Sequence, residues 1–193
     1  MVSQGYSLLE VLMAIAVSVI VCGAAVPLAH GSVDRTRAAA AARYVAGRLA
    51  SARFEAVKRS AYVAIRFADS PEGYWMRMYA DGNGNGVLTR DIARGIDPPI
   101  SPDERLDYHF SHVVFGILPG VSSLDPGEPF NTGDPVQIGH STLLSFSPTG
   151  ACTSGTLFIR GLRGTQFAVR ALGATGRTRV FEFSFGDKTW HIR

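Results

Sequence analysis

The sequence predicts an α+β fold, a long amino-terminal helix packed on an antiparallel β-sheet head. Three observations predict it. Val11 to Leu28 holds no charged residue. Ala38, Ala42, Val45, Leu49, Ala52 and Ala56 then fall at the spacing of one stripe along an α-helix. From Tyr62 onward the apolar period drops to two, which is the period of strands.

The first element is the apolar run from Tyr6 to Ala29. Its length suits a membrane-spanning helix, which needs roughly 20 apolar residues, better than a secretory signal with its apolar stretch of about 7–15 residues. A plain anchor leaves Glu10 unexplained. A carboxylate inside an apolar helix costs about 2.5–3.5 kcal/mol on insertion scales, so it normally has a partner and a task. The flanking charges point the other way: Met1 to Gly5 carries no Lys or Arg, whereas Arg35, Arg37 and Arg43 follow the run. The positive-inside tendency alone favours the opposite orientation, so either translation starts upstream or insertion relies on other signals.

Gly5-Tyr6-Ser7-Leu8-Leu9-Glu10-Val11 resembles the type IV prepilin signature, with Tyr6 where Phe is commoner. The resemblance implies cleavage between Gly5 and Tyr6 by a prepilin peptidase and methylation of the new amino terminus at Tyr6. Glu10 becomes the fifth mature residue, an assembly residue that pairs with the cationic amino terminus of a neighbouring subunit. The physics agrees, because opposite charges in a low dielectric offset each other's desolvation only when they meet.

Beyond the apolar run, Pro27 lacks an amide hydrogen and is expected to kink the helix. Helical pattern resumes after His30-Gly31-Ser32 with Ala38 to Ala42, and Arg43, Arg48 and Arg59 lie off the apolar stripe. A helix from about Ser7 to Arg59 is roughly 80 Å long at 1.5 Å per residue. Only its second half has a head to pack on.

The head reads as strands at 62–67, 74–79, 109–115, 143–146, 156–160, 166–172, 179–185 and 189–192, with a Pro-, Gly-, Ser- and Asp-rich loop at 118–135. Leu144-Ser145-Phe146-Ser147-Pro148-Thr149-Gly150, Gly155-Thr156-Leu157-Phe158-Ile159 and Gly176-Arg177-Thr178-Arg179-Val180 together resemble the GspH/FimT group of minor pilins and pseudopilins. The implied division is a leader at 1–5, a transmembrane stem at 6–29, a periplasmic half-stem at 30–60 and a β-rich head at 61–193.

Charge is segregated. Residues 1–59 carry seven basic and three acidic side chains, residues 60–146 five and eleven, and residues 147–193 seven and two. A basic end behind an acidic middle either holds a polyanion or is a solvated face. The two cysteines, Cys22 in the apolar run and Cys152 in the head, are not expected to pair. Phosphate-binding loops, nucleophile elbows, zinc-protease helices and dinucleotide fingerprints are absent from the sequence, His140-Ser141 has no orienting acid nearby, and a non-enzymatic role without a cofactor is expected.

Three clusters are candidate sites. Arg177 and Arg179 fall on one face of a strand, roughly 7 Å apart and near the phosphate spacing of one nucleic-acid strand. In some members of the resembled group a Gly-Arg-x-Arg motif captures DNA, and Arg160, Arg163 and Arg170 are the expected helpers. The alternative is that these arginines pair with the acidic middle or a neighbouring subunit. Asp81, Asn83 and Asn85 open a calcium-like loop, but Ile92 occupies the closing acid's position and Asp91 comes one place early. A bare hairpin loop is the competing reading, since Asn and Gly tolerate positive φ. His109 and His112 point to opposite sides of a strand and make a poor metal pair.

The resemblance thus implies a single-pass inner-membrane subunit with its head in the periplasm. It is incorporated with other pilin or pseudopilin subunits into a type IV pilus or type II secretion filament, with non-sequence-specific DNA capture by the head. The alternative is a purely structural, priming pseudopilin of type II secretion without DNA binding.

Overall fold

The computed structural model describes residues 7–125, 127, 130–139 and 141–193, and only the helical backbone of residues 22–31. Gly5 and Tyr6, His140, and the side chains of Cys22 and Pro27 therefore lie outside the described residues. Helix α1 runs unbroken for 52 residues, Leu8–Arg59, about 78 Å. Ser60 closes it in the left-handed conformation (φ 53°), its N–H directed to the carbonyls of Ala56 and Val57.

Two sheets follow. The first has the order β2-β1-β5, built from β1 (Val63–Ala68), β2 (Trp75–Ala80) and β5 (Leu143–Phe146). The second has the order β3-β6-β7-β8-β9, from β3 (Val114–Phe115), β6 (Gly155–Arg160), β7 (Gln166–Leu172), β8 (Arg177–Ser184) and β9 (Thr189–Ile192). A short β4 (Val136–Gln137) also pairs β6. Every pairing is antiparallel.

The carboxyl-terminal half of α1 lies on both sheets. Ala38, Ala42, Val45, Leu49, Ala52 and Ala56 are all essentially inaccessible, packed in one cluster with Phe67, Phe146, Ile159 and Val169. Alanine repeats on this stripe let the helix backbone approach the sheets closely, and Leu49 and Val45 fill the space between them. Residues 8–21 have no such cover: Leu8, Leu9, Met13, Val19, Ile20 and Val21 stand more than half exposed. Among the described residues no helix is long and apolar enough to cross a membrane, and residues 22–29, whose side chains are not described, fall inside the span expected from the sequence.

Two segments depart from the sequence expectation. The strand expected at 109–115 shrinks to Val114–Phe115, because α3 (Leu106–His109) ends at His109 and His112 takes a positive φ of 65°. The loop after β2 is no simple hairpin: it carries α2 (Thr89–Ala93), then returns along β2 through Ile100 N–H to Met78 O and Glu104 N–H to Met76 O.

Candidate functional site

Glu10 sits in the first turn of α1, exposed, where the helix N-terminus favours a negative charge. The apolar residues beside it, Leu8, Leu9 and Met13, are exposed too. This end of the molecule therefore presents a carboxylate on an uncovered apolar rod.

The opposite end carries the arginines. Strand β8 runs antiparallel to α1: Gly176 to Thr178 lie against Ala50, Arg53, Phe54 and Val57, while Glu182 meets Arg35. Thr178, Val180 and Glu182 face the stem, so Arg177 and Arg179 share the outer face and both are exposed. Cross-strand register sets Arg170 directly opposite Arg179 and Thr156 opposite Arg170. Arg170 is drawn to Asp125 of the long loop, and the Arg160 side chain lies over the backbone of Gly116. Arg163 is elsewhere, in the β6–β7 turn. The fold thus brings Arg170, Arg177 and Arg179 together and leaves Arg160 and Arg163 apart from them.

Arg53 is the residue that organises this corner, and sequence reasoning missed it. Its Nε donates to Gly150 O at 3.0 Å. Gly150 (φ 84°) and Gly176 (φ 61°) are packed so tightly that a Cβ on Gly176 would sit 2.0 Å from Gly150 O. The Phe-Ser-Pro-Thr-Gly turn and the Gly-Arg-Thr-Arg strand are therefore one structural unit, joined at the stem. Nothing in the spacing of Arg53 on α1 announces a bond to a residue 97 positions away.

A second clamp holds the other end of the head. Asp34, buried, accepts from the N–H groups of Leu162 (2.8 Å) and Arg163 (3.1 Å) and from Thr165 Oγ1 (2.8 Å). Gly161 is needed there, since a Cβ would come within 2.6 Å of the carboxylate. Beside it, Glu182 accepts from both Arg35, the next residue of α1, and Arg193, which hold its carboxyl below the usual range.

The Asp81 loop uses its acids internally. Asp81 accepts from the N–H groups of Asn83, Gly84 and Gly86. Asp97 accepts from those of Gly82 and Leu88, and Asp91 from the side-chain amides of Asn83 and Asn85. These carboxylates satisfy the loop's own donors, Asn85 above all holding the Asp91 carboxyl below its ordinary range. Among the described residues no cluster of three His, Cys, Asp or Glu could hold a metal ion. The His109 ring packs at a tilt against Tyr44, centroids 5.1 Å apart.

No family model matches the chain, and no curated protein matches it. Among solved structures it is similar to the minor pseudopilin EpsH from the Type 2 Secretion System of Vibrio cholerae. The two are 15% identical, the match covers 76% of this chain and 97% of that one, and the TM-score is 0.47. A likeness this loose decides neither fold nor function, so the functional reading rests on the residues and their placement.

Proposed function

We propose that this chain is a minor pilin or pseudopilin subunit of the GspH/FimT type, cleaved after Gly5, held in the inner membrane by the apolar half of α1 and passed into a type IV pilus or type II secretion filament. The observation that carries this reading is the division of α1: the carboxyl-terminal half packed on the head along one face, residues 8–21 an uncovered apolar rod with Glu10 in its first turn. An apolar rod of this length finds lipid before assembly and neighbouring stems after it. Glu10 is a cost in either setting unless a cation meets it, and the methylated terminus of the next subunit supplies one. The role asks no chemistry of the head.

The test is Glu10→Leu in the full chain, expressed with its cognate filament genes. Membrane insertion and leader cleavage are expected to stay intact, while recovery in sheared filaments falls at least about tenfold, in line with the 2.5–3.5 kcal/mol at stake. Unchanged incorporation of Glu10→Leu would sink the assembly role.

DNA capture is the finer part of the reading, and it centres on Arg177 and Arg179, which are exposed together on β8, whereas Arg170 is drawn to Asp125 and the exposed Arg160 and Arg163 lie apart from them. The full chain in detergent is expected to bind single- or double-stranded DNA without sequence preference, weakening steeply with salt. Arg177→Ala/Arg179→Ala should lose about two units of the salt slope. No binding at low salt would leave the structural, priming role alone.

A further inference from the structure

The end of the head nearest the apolar half of α1 is built from two hairpin tips. The β6–β7 turn carries Leu162, 62% exposed, beside exposed Arg163. The β8–β9 turn carries Phe185, 42% exposed, close to exposed Lys188 and to Asp187, whose carboxylate lies 3.0 Å from His191 Nε2. Each tip pairs one large apolar side chain with a nearby cation. Val33, 44% exposed, and Arg37 on α1 add to the same end.

Both tips are fixed at that level by contacts to the stem. Asp34 pins the first through the N–H groups of Leu162 and Arg163. The second follows from β8, whose Glu182 is bonded to Arg35 at 2.5 Å. Phe185 lies three residues beyond Glu182, about 10 Å further along the strand. Six residues back along α1 from Arg35 to Ala29 cover about 9 Å. Phe185 therefore comes level with the end of the apolar run, the depth at which a membrane-spanning stem leaves the hydrocarbon.

From this placement we propose that the two tips, with Arg37, form a collar that seats the unassembled subunit on an anionic phospholipid leaflet, Leu162 and Phe185 entering the headgroup region and Arg37, Arg163 and Lys188 meeting lipid phosphates. The inference rests on the membrane reading of the stem. Exposed apolar residues flanked by cations are what an interfacial surface requires, and each cation strengthens partitioning about fivefold at an anionic leaflet. The opposite end of β8, with Arg177 and Arg179, is thereby held away from the membrane. Departure into a filament breaks the collar's lipid contacts, so seating also fixes the head's orientation before extraction.

The experiment uses the full chain carrying Cys22→Ala and Cys152→Ser, reconstituted in vesicles of phosphatidylcholine alone or with about one-third phosphatidylglycerol. A bimane label is placed by Leu162→Cys, Phe185→Cys, Phe54→Cys or Val17→Cys, and quenching by brominated lipid is read. Val17 reports the stem and Phe54, 65% exposed at the far corner, is the solvent reference. Positions 162 and 185 are expected to quench at least about threefold more than 54, with the excess falling in phosphatidylcholine alone. Quenching at 17 but not above reference at 162 and 185 overturns the collar and leaves the stem in the membrane. Equal excess in both lipids overturns its anionic preference. No quenching at 17 removes the membrane reading and the collar with it.

Discussion

Gly176 shows how far one residue can be pushed by its neighbours. Its φ of 61° disfavours any side chain, and a Cβ would lie 2.0 Å from Gly150 O. Left-handed strain costs about 1–2 kcal/mol and overpacking about 1–3 kcal/mol, so Gly176→Ala is expected to destabilise the head by about 2–5 kcal/mol. Gly164 is the matched control: its φ is 84°, but nothing lies within 4 Å of its notional Cβ. Gly164→Ala should cost only the left-handed term, about 1–2 kcal/mol. Thermal melts of the two variants check this, and equal losses would mean that the contact with Gly150 does not constrain the corner. Because Arg53 binds the same carbonyl, Gly176→Ala also displaces Arg177, and its DNA affinity should fall with its melting temperature.

At the scale of elements, the sequence was readable where one period ran long enough to be unambiguous. The stripe from Ala38 to Ala56 predicts the buried face of α1 residue by residue, since 3.6-residue periodicity over five turns has no strand alternative. The hairpins β6–β7 and β8–β9 are equally legible from alternation bounded by glycine. The segment 106–115 was not. Its apolar residues fit a strand, yet Tyr44 draws His109 and Phe110 onto the helix face, centroids 5.1 and 5.7 Å away, and the chain turns there instead. The Asp81 loop was ambiguous for another reason: carboxylates that ligate calcium and carboxylates that cap backbone N–H groups have the same spacing, and only the fold shows Asp97 and Asp91 arriving to accept from the loop. Among the site arginines, exposure of Arg177 and Arg179 follows from strand alternation, but the capture of Arg170 by Asp125 depends on where the long loop lies. Asp34 and Arg53 each reach a partner roughly a hundred residues away, and no local pattern encodes that.

Taken whole, the molecule is a rod and a head joined by the buried stripe of α1 and by three polar joints: Arg53 at the distal corner, Tyr44 and Arg48 on Glu104 midway, and the Asp34–Arg35 pair near the apolar end. The last of these contains the Arg35–Glu182 link, which titrates. Glu182 accepts from Arg35, which lowers its pKa most, and from Arg193, against a smaller opposing effect of burial. Its folded pKa lies below the ordinary value of 4.5, so its stabilisation is fully present above that value and is lost as the pH falls through the folded one. With both arginines about half exposed, the link contributes about 1 kcal/mol after screening by solvent. Glu182→Gln is therefore expected to lower the melting temperature by about 2–4 °C at neutral pH and by progressively less below pH 4.5. Comparing the variant with the wild type at each pH cancels the other carboxylates, which titrate in both. A difference that persists unchanged at low pH would assign Glu182 a packing role in place of an ionic one. Because the same joint carries Asp34 and the β6–β7 tip, loss of the Glu182 link should also loosen the collar, and quenching at position 162 should fall in parallel with the melting temperature. If the two readouts separate, Asp34 holds the tip independently of the Glu182 link.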